Sequence, residues 1–421
     1  MPAPQHIVIL GGGVIGLSAG IALLDRADGP RDAVTLIAAE LPADGTHASG
    51  SAVAAAPAHY ASAWAGAHHV SDAREQRTRS WDQTSLAVMA QLAERGSDKS
   101  GRGEGASGLF WTAQRELWRA PEDIEKLVGW YPDYKPLPSA SLPAGIACGA
   151  TFSTLSIVVP EYLPWLQARF LALGGRLIHA KVNSLSDALS LAASPTAPAR
   201  GAPPPTTPPS ALIVSPGLGA RTLGGVRDQG VHPVRGQTLL VEAPWLEEAR
   251  KGQKHCAEGL SVVRAEGWRD TYVIPRGEGR FIVGGTRLVN DDDAAPRAET
   301  TAEILKRVLP FVPELADPSR RTLLTTPSPS DVRVLATNVG LRPARQGGAR
   351  VERMCSSAAG VPSNVPVLAC YGFGGVGYQA SWGAVFEARD LLDDALERPR
   401  LPQGSTLASL ASRSAAPAAR L

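Results

Sequence analysis

The sequence predicts an α/β fold in two domains, one of them a Rossmann-like dinucleotide-binding unit built from βαβ repeats. Three observations carry that reading. The first is a short apolar strand, His6–Leu10, that runs straight into a glycine-rich turn and then a helix. Unbroken apolar runs of this length mark central parallel strands. The second is a further strand, Ala33–Ala38, at the distance a βαβ unit requires, with Glu40 just after it. The third is length, since 421 residues exceed what a single core usually supports.

Within the turn Gly11-Gly12-Gly13-Val14-Ile15-Gly16, the glycines have separate tasks. Gly11 permits the tight turn, Gly13 lets the backbone approach a pyrophosphate, and Gly16 lets helix and strand pack closely. The helix that follows offers unpaired N–H groups and a positive dipole end to phosphates. Glu40 is placed to accept hydrogen bonds from a ribose. The turn alone does not separate FAD from NAD.

Composition narrows the function classes. A net charge of +2 argues against nucleic acid or an acidic membrane surface as partner. A hydrophobic content of 44% suits a substantial core. Cys148, Cys256, Cys355 and Cys370 are far apart, with no CxxC pair, and are expected as free thiols in a reducing compartment. The first strand begins within a few residues of Met1, leaving no room for a leader. No apolar run approaches the roughly 20 residues that span a bilayer. The expectation is a soluble intracellular protein without a metal cluster or a nucleophilic triad.

Later segments narrow the reading. They are Val231–Val241 (VHPVRGQTLLV), Tyr272–Arg276 followed by Phe281–Thr286 (FIVGGT), Asn338–Arg345 (NVGLRPAR), and Tyr371–Gln379 (YGFGGVGYQ), which opens a helix running through Trp382 to Leu392. Upstream stand His59–Ala67, Arg74–Ser85 and Gly149–Leu155. In this order, over most of the chain, they resemble the D-amino-acid oxidase family of flavoproteins.

The resemblance implies a discontinuous FAD-binding domain from residues 1–90, 151–230 and 338–395. An interleaved, mostly β substrate-binding domain would come from 91–150 and 231–337. It implies that Arg235-Gly236-Gln237 forms a turn after Pro233, and that Gly149–Leu155 leads into the next flavin-domain unit. Residues 190–210, rich in proline, read as an exposed, disordered or extended insertion. Residues 96–107 read as a loop expansion and 396–421 as a tail. Ser215-Pro216 replaces a polar run of the family and puts local cofactor contacts in question.

FAD contacts are expected from Gly11, Gly13, Val14, Ile15, Gly16, Glu40, Ala65, Gly66, Gly374, Gly375, Val376, Gly377, Tyr378 and Gln379. The substrate carboxylate is expected between Arg342, whose planar fork suits it, and Tyr272. The carbonyl of Gly375 would accept the amine, with Gln379 near that end. Arg287 stands where D-aspartate oxidases also have arginine, and a second substrate carboxylate would satisfy it. Otherwise it faces solvent or pairs with Asp291–Asp293. His68 would add a donor beside it, and Arg264 lies near a further arginine of those enzymes.

No side chain is expected to act as a catalytic acid or base; orientation and hydride transfer to the flavin suffice. Products would be a 2-oxo acid, ammonia and hydrogen peroxide, with dioxygen as co-substrate. Alternatives are a neutral D-amino-acid or glycine/sarcosine-type oxidase, a flavin-binding protein without turnover, and an NAD-dependent dehydrogenase. Ala419-Arg420-Leu421 is a variant of the peroxisomal Ser-Lys-Leu address and implies an import receptor as partner. The oligomeric state is left open, a homodimer included.

Overall fold

The computed structural model describes residues 4–25, 32–42, 56–95, 107–255, 257–263, 269–320 and 326–399. Arg264, Cys256, residues 96–106 and the terminal tripeptide therefore lie outside the described residues. In chain order the strands of the first half are β1 (His6–Leu10), β2 (Ala33–Ala38), β3 (Leu109–Trp118), β4 (Lys135–Pro136), β5 (Cys148–Ile157), β6 (Arg176–His179), β7 (Arg200–Gly201) and β8 (Ala211–Val214). Those of the second half are β9 (Val231–Glu242), β10 (Glu258–Val263), β11 (Arg269–Gly277), β12 (Arg280–Thr286), β13 (Leu288–Val289), β14 (Arg333–Arg345), β15 (Arg350–Met354) and β16 (Val367–Tyr371). The helices are α1 (Val14–Leu24), α2 (Gln76–Arg95), α3 (Ile124–Val128), α4 (Val159–Ala172), α5 (Leu185–Ala193), α6 (Pro244–Glu248), α7 (Ala298–Val308) and α8 (Ser381–Ala395).

Two sheets organise these elements. The first has the order β15-β16-β8-β1-β2-β6-β7. Its five central strands are parallel and the two edges antiparallel. The reversal of strand order beside β1 is the switch point at which doubly wound sheets bind dinucleotides. Helix α1 is apolar all round and buried along its whole length, because it is covered by α4 and α8 as well as the sheet. A Cβ on Gly20 would lie 2.6 Å from the Phe170 ring, which shows how closely α4 approaches.

The second sheet runs β13-β9-β12-β11-β10-β3-β5-β4, with β14 on the other edge of β9. Its own core, including Leu239, Val241, Phe281 and Val283, is closed by Ile304, Leu305 and Val308 of α7. The interleaved arrangement is as expected, but the boundaries at 151 and 338 fall inside β5 and β14. Both are long strands of the second sheet. Gly149–Leu155 accordingly lies in the second sheet, and β5 leads directly into α4, which packs against α1 in the first domain.

Two other expectations change. Residues 190–210 are largely exposed and extended, as one of the expected alternatives has it, but α5 reaches Ala193 and β7 pairs with β6 within them. The tail does not begin at 396, because Arg398 is held by Asp32 at 2.6 Å and Asp393 at 2.9 Å. Among the described residues no helix is long and apolar enough to cross a membrane, no cluster of metal-ligating side chains occurs, and Cys148, Cys355 and Cys370 are free thiols.

Candidate functional site

One cavity of about 680 Å³ runs from the glycine turn after β1 to the face of the second sheet. At its first end stand Gly11–Ile15, Glu40, Lys181 and Asn183; at the other, Tyr272, Arg287, Arg342 and Gly375. Between them lie residues 59–62 and 64–68.

The first end is shaped for a phosphate-bearing group. Gly11 has φ +121°, a backbone conformation that a side chain rarely tolerates. A Cβ on Gly16 would lie 1.9 Å from the Gly11 carbonyl oxygen, so α1 can approach β1 only because that residue is glycine. Helix α1 has no acidic residue in its first turn and no capping side chain on Gly13, so its positive end carries no carboxylate of its own and favours an anion. The segment 59–66 is laced over this end: Tyr60 Oη donates to Gly12 O at 2.8 Å, and Val14 N–H donates to Ser62 Oγ at 3.1 Å. Tyr378 Oη donates to Ser62 O at 2.7 Å, joining the second glycine turn to the first. Glu40 lines the cavity with His59 Nε2 3.5 Å from its carboxylate.

Most expected cofactor residues meet here. Gly11, Gly13, Val14, Ile15, Glu40, Ala65, Gly66, Gly374, Gly375, Gly377, Tyr378 and Gln379 all line the cavity. Gly16 and Val376 do not, since Gly16 packs against Gly11 and Val376 against the core. Ser215-Pro216 supports the loop: Ser215 Oγ donates to Leu10 O at 3.1 Å, and its carbonyl sits where a Cβ on Gly11 would go.

The other end is built by cross-strand register. Arg235-Gly236-Gln237 is no turn; it lies in the middle of the continuous strand β9. Arg235 Nε and Nη2 donate to the carbonyls of Asp293 and Ala295, and Gln237 Nε2 to that of Arg297. These two side chains point away from the cavity and fix the 291–297 loop. Gly236, between them, faces the cavity and leaves room for Arg342, whose Nη1 would lie 2.3 Å from a Cβ there. Arg342 Nη1 donates to Thr286 O at 2.8 Å. Tyr272 lies similarly over Gly284 and Gly285, where added Cβ atoms would come 2.3 Å from its Cζ and 2.6 Å from its Oη.

Arg287 lines the cavity too. From the position of a Cβ on Gly375, Arg287 Nη1 and Arg342 Cδ are each 3.7 Å away. Asp291 and Asp293 are taken by Arg297, at 2.7 and 2.9 Å. His68 sits beside Tyr272, with ring centroids 6.5 Å apart. Gln379 lines the cavity while its amide donates to Asp82 Oδ2 at 3.3 Å, which ties the glycine turn to α2. Burial pushes the Asp82 carboxyl up to about 6 and pulls His69, nearby, down to about 4.

Glu116, which sequence reasoning missed, also lines the cavity. It accepts from Gln114 Nε2 at 2.9 Å, and burial pushes its carboxyl up to about 8. Because the folded value is raised, the fold favours the protonated form, and stability falls as pH rises from about 4.5 to about 8. Glu116→Gln is therefore expected to raise Tm by an increment that grows between pH 5 and pH 8. Equal increments at the two pH values in scanning calorimetry would show that Glu116 is ionised throughout.

Known proteins place this arrangement. The family model described as DAO, FAD dependent oxidoreductase, matches residues 6–387. A D-aspartate oxidase of Cryptococcus neoformans var. grubii is 34% identical, covering 92% of the chain and 96% of the relative. A D-amino-acid oxidase of Schizosaccharomyces pombe is 29% identical, covering 91% and 95%. Among solved structures, glycine oxidase from Geobacillus kaustophilus shares the fold, with a TM-score of 0.60 at 19% identity over 94% of the chain and 96% of that protein.

Proposed function

The chain belongs to the DAO family of FAD-dependent oxidoreductases, and from that premise we propose that it oxidises D-amino acids carrying a second carboxylate. Substrate, water and dioxygen give the 2-oxo acid, ammonia and hydrogen peroxide. The observation that carries the acidic preference is that Arg342 and Arg287 both line one cavity, Arg287 Nη1 and Arg342 Cδ each 3.7 Å from the position of a Cβ on Gly375. Two half-buried guanidinium side chains lining one cavity match a substrate that carries two carboxylates.

FAD fits the residues present: the positive helix end and glycine turn suit its pyrophosphate, and Glu40 suits a ribose. When bound, FAD supplies a two-electron acceptor for the substrate Cα hydrogen. Arg342 pairs its fork with the α-carboxylate, and Tyr272 Oη donates to the same group. The Gly375 carbonyl accepts from the amine, and Arg287 takes the side-chain carboxylate. Three held points fix which face of Cα is presented, so one enantiomer reacts. With no acid or base required, rate comes from orientation and a preorganised field.

An anaerobic panel of D-aspartate, D-glutamate, D-alanine, glycine and sarcosine, read by bleaching of the flavin, tests this. The expected kcat/KM for D-aspartate exceeds that for D-alanine at least tenfold, the scale of one matched charge contact. A ratio below one removes the acidic reading while leaving the oxidase. We further propose peroxisomal import through Ala419-Arg420-Leu421, supported by the chemical sense of making peroxide beside catalase. A full-length fluorescent fusion that remains cytosolic would exclude it. Light scattering of the holoenzyme decides between monomer and homodimer.

A further inference from the structure

We propose that Thr238 is a third substrate-carboxylate residue, its hydroxyl donating to the oxygen held between Arg342 and Tyr272. This rests on the reading that the α-carboxylate binds at Arg342. The argument comes from register. Thr238 of β9 pairs with Gly284 of β12, which in turn pairs with Tyr272 of β11. Directly paired residues project from the same face, so Thr238 points where the Tyr272 ring lies over Gly284. Along β9, Thr238 stands two residues from Gly236, the residue beneath the Arg342 guanidinium. Neighbouring strands are about 4.8 Å apart and i, i+2 residues roughly 7 Å. An anion touching both Arg342 and Tyr272 therefore lies above Thr238.

The second observation is chemical. Thr238 lines the cavity and is 4% exposed, and its Oγ1 has no hydrogen-bond partner. A buried hydroxyl in that condition destabilises the protein, and an apolar residue of the same shape would not. Threonine here makes physical sense if a ligand supplies the acceptor. Of the two side chains expected to hold the carboxylate beside it, Arg342 offers only N–H groups and so cannot accept from the threonine. A carboxylate oxygen is the complementary group. An ordinary strand threonine would instead be satisfied by a neighbouring carbonyl, as Thr112 Oγ1 is by Ala257 O at 3.0 Å.

The test compares the parent holoenzyme with Thr238→Val, which keeps the shape and removes the hydroxyl, and Thr238→Ser, which keeps the hydroxyl. Propionate, a carboxylate with no oxidisable amine, is titrated against the visible spectrum of the bound flavin, and thermal unfolding is followed in parallel. The expected result is propionate binding about tenfold weaker in Thr238→Val, near-parent binding in Thr238→Ser, and a valine Tm equal to or above the parent's. For D-substrates, the loss should fall on KM. Parent-like propionate affinity in Thr238→Val overturns the proposal, as does a drop in Tm without change in affinity. An Arg342→Ala control separates the two ideas. If it too leaves propionate binding unchanged, the carboxylate site is elsewhere and the whole reading fails, whereas loss there with none at Thr238 removes Thr238 alone.

Discussion

Arg342→Ala is expected to lower kcat/KM for every D-amino acid by about 3–5 kcal/mol, roughly a hundred- to several-thousand-fold. The scale is that of removing one member of a desolvated, hydrogen-bonded charge pair, which leaves the substrate carboxylate facing the Thr286 carbonyl that Arg342 now satisfies. The loss should appear mainly in KM, because the α-carboxylate is present in substrate and transition state alike. Some kcat should also be lost, since a substrate held at fewer points presents its Cα less often in the reactive orientation. Arg342→Lys should fall between, keeping the charge but not the fork. Retained flavin content shows that the effect belongs to the substrate end, because the glycine turn is at the other end of the cavity. Stopped-flow reduction of the flavin separates binding from chemistry; undiminished capture by the alanine variant would place the carboxylate elsewhere.

Local rules made the first end of this site legible. Gly11 and Gly16 answer to constraints within a few residues of themselves, so the glycine spacing after an apolar strand carries nearly all the information. The substrate end was legible only through resemblance, and only for side chains that touch the ligand directly. Gly236 was misread as part of a turn, although its role is to be absent beneath Arg342. Thr238 and Glu116 were missed because nothing in their own neighbourhoods marks them. They become cavity residues through pairing: Thr238 with Gly284, Gly284 with Tyr272, Tyr272 with Ser261, and Ser261 with Glu116. That row crosses five strands, four of them consecutive in the chain and the fifth, β3, far upstream, so the local sequence around any one residue does not show it. The domain boundaries failed for the same reason, since which sheet receives the ends of β5 and β14 is a long-range choice. Ser215-Pro216 looked like a loss of cofactor contacts because its service to the Gly11 turn is made by a carbonyl, which any residue could supply.

Arg287→Tyr should reverse the order of substrates, with D-aspartate losing about 3 kcal/mol of transition-state stabilisation, a little over a hundredfold, and D-alanine changing little or improving. The asymmetry follows from what each substrate brings. For D-aspartate, the variant leaves the side-chain carboxylate without the guanidinium that takes it, and Arg342 is already committed to the other carboxylate. For D-alanine, the variant removes a cation that repels the ammonium group and offers nothing to a methyl side chain. Tyrosine also fills volume, so a long side chain could lose affinity for steric reasons alone. Arg287→Gln distinguishes the two, because it shortens the side chain and removes the charge without adding a ring. Both variants should show the same inversion in the D-aspartate to D-alanine ratio if charge decides. Salt provides an independent check: the parent's preference for D-aspartate should narrow between 0.05 and about 0.5 M ionic strength as screening reaches the open parts of the cavity, while the variants' ratios stay flat. Inversion in the tyrosine variant alone would mean that shape, and not a second guanidinium, sets which D-amino acid is taken.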